Sequence, residues 1–235
     1  LENAGRPRWL TTFWKRWWMR TLPAYFTVLI VSLVAVQMGW LTNNSKMVWW
    51  RFATFTQNTF TPLTGFFWES WSLTVQQWSY LLLPLFLALG LQVSHRKRWL
   101  FFVGSVALVL SGWLWRWHLM DVEVDAFWWD VWFRKLAPCR MDAIGTGLLV
   151  ALWKVSHPST YTRWRWIAAA LGVAVLIATT VAEAEPNGLY KKVVHLGIRS
   201  AAIALLVPAI DHWKSWPSKG GTNVAYPVSY THLRA

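Results

Sequence analysis

Apolar residues gather in six long blocks, at about 23–41, 79–93, 99–115, 138–153, 166–182 and 193–210, parted by segments where charged and polar residues concentrate. Each block lies near the roughly 17–25 residues that a helix needs to cross a bilayer. The second is short unless residues 71–78 form its first turns. The pattern predicts an all-α polytopic membrane protein with about six transmembrane helices.

Composition supports that class. Of 235 residues, 55% are hydrophobic, 14% are charged and 22 are Trp. Charged residues make up about 25% of a typical soluble domain. A net charge of +13 could signal nucleic acid, but the location of the charges argues otherwise. With the connections assigned to alternate sides, 1–22, 94–98, 154–165 and 211–235 hold 14 Lys and Arg against 2 Asp and Glu. Segments 42–78, 116–142 and 183–192 hold 8 of each. That asymmetry is the positive-inside pattern and makes the basic side cytoplasmic. No basic stripe remains for nucleic acid, and none is expected to bind. The Trp residues cluster near block ends, where an indole settles at the headgroup level.

Cys139 is the lone cysteine and permits no intrachain disulfide. The six His lack ligand spacing, and no metal is expected; His118, His195, His95 and His157 read as loop residues. The chain begins at Leu1 and reads as cut at both ends. Residues 1–212 form the expected transmembrane domain fragment, 213–227 a polar tail or loop, and 228–235 a non-native, adapter-derived tail.

Three polar approaches lead into apolar blocks. In residues 9–25, Trp and Phe alternate with Lys15, Arg16 and Arg20, and Pro23 opens the span. Pro is tolerated in a first helical turn. The segment can lie along the inner interface, either as a stop-transfer charge cluster that also binds anionic lipid or as an anion site, since an Arg fork suits phosphate. In residues 57–85, Thr74 and Gln77 have capping-box spacing, while Ser72, Gln76 and Tyr80 share one helix face. Such groups either join helices by hydrogen bonds or line a path for a hydroxyl-rich acceptor. The third approach, 136–147, carries Arg140 and Asp142 at the end of a span. At a spacing of two they do not face each other, so each needs its own partner. Gly145 and Gly147 permit close backbone approach.

Together these stretches resemble the acyltransferase 3 family of integral membrane acyltransferases, which includes O-antigen and exopolysaccharide O-acetylases. Phe13-Trp-Lys-Arg16-Trp-Trp-Met-Arg20-Thr-Leu-Pro23-Ala-Tyr25 is similar to the family's arginine-rich approach to its third span. Gln57-Asn58, followed by Trp71-Ser-Leu-Thr-Val-Gln-Gln-Trp-Ser-Tyr80, resembles its Trp-Ser-Leu-Ser-Val-Glu-Glu-x-Phe-Tyr motif. Arg140-Met-Asp142-Ala-Ile-Gly145-Thr-Gly147 resembles its Arg-x-Asp-x-x-x-x-Gly stretch. The resemblance implies a parent of about ten spans in a bacterial inner membrane. It implies acyl-CoA, usually acetyl-CoA, as co-substrate, no permanently bound cofactor, and a cell-envelope glycan as acceptor. Arg16 and Arg20 would hold the donor; Asn58, Trp71, Ser72, Gln76, Gln77, Tyr80, Arg140 and Asp142 would shape the acceptor path. The family's proposed base is a His in its first span, which would lie before Leu1, so no catalytic residue is expected in this fragment.

Two departures stand out. Trp17 leaves Arg16 and Arg20 one residue further apart than the family's usual pair, and Gln76-Gln77 replaces Glu-Glu. Gln hydrogen-bonds but relays no proton. A transporter or scaffold for a glycan or lipid is the alternative. Against transport, the sequence shows no inverted repeat and no helix broken near the midplane.

Overall fold

A computed structural model describes residues 8–41, 49–62, 66–93, 96–182 and 186–212. The tail segments 213–227 and 228–235, together with His95, lie outside them. The described residues are helical and contain no strand. Helix α1 spans Trp9–Gln37 and the single turn α2 spans Trp50–Ala53. A 3-10 turn, Trp68–Ser70, leads into α3, Trp71–Val93. Helix α4 is Lys97–His118. The single turn α5, Ala126–Trp129, runs into a π-helical turn, Asp130–Arg134. A 3-10 turn, Pro138–Arg140, starts α6, Met141–Ser156. Helix α7 is Pro158–Arg163 and α8 is Arg165–Val181. A second π turn, Tyr190–Val194, opens α9, His195–Asp211.

The long helices lie side by side in the order α1, α3, α4, α6, α9, α8. Their directions alternate along the chain, which leaves α6 and α9 as parallel neighbours whose ends are joined by Lys154 and Asp211. Trp14 meets Tyr80 while Trp17 meets Gln77, so α1 and α3 are antiparallel. Gly90 lies against Leu100 and Gly104 against Leu83 and Phe86, which does the same for α3 and α4. Glycines let two other pairs close up. A Cβ on Gly145 would stand 2.6 Å from the Ser105 carbonyl of α4, and one on Gly172 the same distance from the Ala202 carbonyl of α9.

Among the described residues, four helical stretches are long and apolar enough to cross a membrane: Trp9–Gln37, Trp68–Gln92, Lys97–His118 and Tyr190–Asp211. A fifth qualifies only if Ala126–Arg134 and Pro138–Ser156, bent 79° at their junction, form one span. The count falls below the expected six because α6 reaches its length only with that folded leg, and α8 ends after 17 residues. The fold is all-α and polytopic. It also contains the broken helix that the sequence pattern did not reveal.

Two further expectations are corrected. Pro23 does not open the first span, and 9–22 is not a separate surface segment: α1 is continuous from Trp9, with Pro23 well inside it. Transmembrane helices tolerate such prolines because neighbours and hydroxyls re-satisfy the freed backbone; Thr27 Oγ1 donates to the Pro23 carbonyl at 2.9 Å. Nor do Thr74 and Gln77 form a capping box. The 3-10 turn starts the helix ahead of them, so Thr74 lies within α3 with its hydroxyl unpaired.

Residues 50–62 and 66–70 are not a free outer loop. Tyr25 and Leu29 of α1 pack with Phe52, ringed by Phe55, Phe66, Phe67 and Trp71. Tyr25 Oη donates to the Phe52 carbonyl at 2.9 Å. Trp71 therefore starts α3 beside the middle of α1, which continues about 18 Å past Tyr25 at 1.5 Å per residue. Irregular backbone at that level is tolerated because it is buried in protein.

Candidate functional site

The first two polar approaches meet along the α1–α3 seam. Trp14 Nε1 donates to the Tyr80 carbonyl at 2.9 Å, and Trp17 Nε1 to Gln77 Oε1 at 3.3 Å. The Trp17 and Tyr80 rings pack with centroids 3.9 Å apart. Trp14 and Trp17 thus use their N–H groups on α3. Trp18, Trp40, Trp117, Trp164 and Trp166 are exposed, as anchors should be.

Asn58 joins the second approach to the third. Its side-chain amide donates to the Trp71 carbonyl at 3.3 Å and to the Lys135 carbonyl at 2.5 Å, while its backbone carbonyl accepts from Ala137 N–H at 2.8 Å. One fully buried residue thereby ties the start of α3 to the bend between the π turn and α6. Gln57 beside it donates to Ser70 Oγ at 3.2 Å. Thr74 and Gln77 continue this buried polar face down α3. Four of its atoms have no partner among the described residues: Gln57 Oε1, Asn58 Oδ1, Thr74 Oγ1 and Gln77 Nε2. Buried polar atoms are normally satisfied, so this nest has spare capacity for water or for a hydroxylated ligand.

Asp142 finds its partner in Arg116, a residue the sequence reading left in an outer connection. Arg116 Nη2 stands 2.9 Å from Asp142 Oδ2, and both side chains are fully buried. The contact is an ion pair by distance but is not aligned as a hydrogen bond, so neither Asp142 oxygen accepts one. The guanidinium also donates through Nε to the Val193 carbonyl at 2.9 Å and through Nη1 to the Cys139 carbonyl. It therefore joins α4, α6 and the second π turn. A Cβ on Gly112 would sit 3.1 Å from Asp142 Cβ, so glycine at 112 lets the carboxylate approach.

The structure does not gather every expected residue into this buried core. Arg16 and Arg20 are exposed on α1, with Arg20 stacked 5.1 Å from the Trp17 ring centroid. Ser72, Gln76 and Tyr80 do share a face, but it is half-buried; the fully buried polar face of Ser70, Thr74 and Gln77 lies one step around the helix. Trp71 is half-buried with the Arg134 guanidinium over its ring. Arg140 is half-buried and does not pair with Asp142.

Two further residues escaped the sequence reading. Lys192, buried at the second π turn, donates to the Met120 and Val122 carbonyls just beyond α4 at 2.8 and 2.7 Å. His195 is not a loop residue: it opens α9, buried between Trp129 and Tyr190, with Nδ1 unpaired. Both π turns sit here, and π turns occur often at functional sites. Trp115-Arg116-Trp117 was the available signal, a cation set within the last turn of an apolar helix.

The fold and this buried centre define an all-helical, multi-pass membrane protein with ionisable and polar groups inside its bundle. Comparison of the chain with protein families, with curated proteins and with solved structures gives no match.

Proposed function

We propose that this chain is part of a bacterial inner-membrane acyltransferase that moves an acyl group, such as acetyl, from acyl-CoA to a hydroxyl of a cell-envelope glycan. One observation carries the reading: the three approaches, far apart in sequence, are joined through Trp17–Gln77 and Asn58 around a nest with unpaired buried donors and acceptors. Such a nest suits a ligand rich in hydroxyls.

In the transfer, the sugar oxygen attacks the thioester carbonyl carbon and the C–S bond breaks. The hydroxyl proton must leave to a base as the new bond forms, and coenzyme A departs as its thiol. We assign no base among the described residues. Arg16 and Arg20 supply the fixed positive charge that donor phosphates need, on the basic side where a cytoplasmic donor would arrive.

The test uses labelled acetyl-CoA and membranes that show glycan acetylation. Arg20→Ala should raise the apparent KM for acetyl-CoA about tenfold or more, the value of one charge-assisted hydrogen bond, with membrane insertion unchanged. Unaltered donor kinetics would remove the role from Arg20. A second reading, glycan or lipid transport, draws on the 79° break, because transporters build sites at discontinuous helices. Export of glycan without its acetylation would favour it.

A further inference from the structure

A groove of about 420 Å³ lies between α1, the turn after α2 and α3. That is within the roughly 300–1,000 Å³ of small-molecule sites. Trp14, Trp18, Leu22 and Phe26 form one wall, and Phe55 and Trp78 face them. Phe55 has φ of 56°, a left-handed conformation rare for an aromatic residue. Trp78 Nε1 donates to its carbonyl at 3.0 Å. Thr54 and Gln77 are the polar residues of an otherwise apolar and aromatic lining.

Charge identifies the occupant. Lys15, Leu22 and Phe26 recur at i, i+7 and i+11, so they share a stripe of α1. Lys15 is exposed at the basic end of that stripe, with no hydrogen bond or ion pair among the described residues. Arg16 and Arg20 are elsewhere: two residues correspond to about 200° of helical turn, which puts Arg16 opposite Trp14. The groove is therefore distinct from the proposed donor site. It has a cation at the basic side and apolar walls running inward from it.

We propose that this groove is a binding site for one acyl chain of an anionic phospholipid from the basic-side leaflet, its phosphate held by Lys15. The chain would lie against Trp18, Leu22 and Phe26.

The test places the full chain in phosphatidylcholine nanodiscs containing phosphatidylglycerol with a diazirine in its acyl chain. After irradiation, crosslinks at residues 14–26 and 77–81 should exceed those on the exposed α8 residues Ile167, Leu171 and Ile177 several-fold. Ala53→Trp, which fills the groove, should remove the excess. Lys15→Glu should reduce it for phosphatidylglycerol but not for the equivalent phosphatidylcholine probe. Unchanged α8 labelling certifies that each variant is folded and embedded, with Leu22→Trp as the second filling variant should Ala53→Trp not be. Labelling no stronger than at α8, or insensitive to both filling variants, overturns the site. Loss of labelling to excess long-chain acyl-CoA overturns it too, by assigning the groove to the donor.

Discussion

Arg116 carries a full positive charge with no exposed surface, and its neighbours explain how that is tolerated. Two backbone carbonyls and the Asp142 carboxylate surround it. A buried ion pair is poor evidence of net stabilisation, yet removing one partner typically costs about 3–5 kcal/mol because the other charge remains. Asp142→Ala should therefore lower unfolding stability in detergent by that amount. Arg116→Met should also be costly, since it strands the carboxylate. The double variant should lose less than the two losses added, by a coupling of about 0.5–3 kcal/mol. Strict additivity would mean that the 2.9 Å contact contributes nothing. Asn58 makes a different kind of claim. Asn58→Asp keeps the shape but removes both donors, to Trp71 and Lys135. It should cost at least about 1–3 kcal/mol by leaving buried groups unpaired. A variant with wild-type unfolding would show that the clamp is dispensable.

Helix pairs close up where glycine permits, and two glycines that look equivalent in the sequence separate sharply in the fold. Gly145 faces α4, whereas a Cβ on Gly147 would meet nothing within 4 Å. Gly145→Ala should destabilise by about 1–3 kcal/mol through overpacking. Gly147→Ala should be neutral or gain up to about 1 kcal/mol in helix propensity. Equal effects in denaturant titrations would contradict the α4–α6 contact. The same pair shows what was legible beforehand. Hydropathy located the apolar blocks, because burial in lipid needs only composition over a helix length. It could not say which glycine faces a neighbour, since that depends on the rotation of α6 about its axis. It placed the start of α1 at Pro23 because proline usually begins a helix. In the fold, Trp14 and Trp17 reach α3 only from a helix already formed at Trp9. At the site, Asp142 was visible as a charge needing a partner, but Arg116 lies 26 positions earlier on another helix, and only tertiary packing joins them. The π turns left no periodicity to read.

Across the whole molecule, charge and helix direction agree. Lys15, Arg16, Arg96, Lys97, Arg98, Lys154, Arg163 and Arg165 all fall at or near the ends where α1, α4 and α8 begin or α6 finishes, with Arg20 a turn further along α1. Asp211 lies at the same end, paired to Lys154 at 2.9 Å. That end should be cytoplasmic. The short crossing is α6, whose 16 residues span about 24 Å against a hydrocarbon core of about 30 Å. Its outer leg folds over by 79°. If the pair is one span, Asp121 and Ser159 lie on opposite sides of the membrane; if it is a re-entrant loop, they share a side. Cysteines at Asp121 and Ser159 can decide, because the native Cys139 is buried and should stay silent. With a membrane-impermeant maleimide on intact cells, Asp121→Cys should label at once and Ser159→Cys only after permeabilisation. Labelling of both in intact cells would make 126–156 a re-entrant loop and reduce the described spans to four. Labelling of Ser159→Cys alone would invert the bundle, removing the basic face, and the proposed donor arginines with it, from the compartment that holds acyl-CoA.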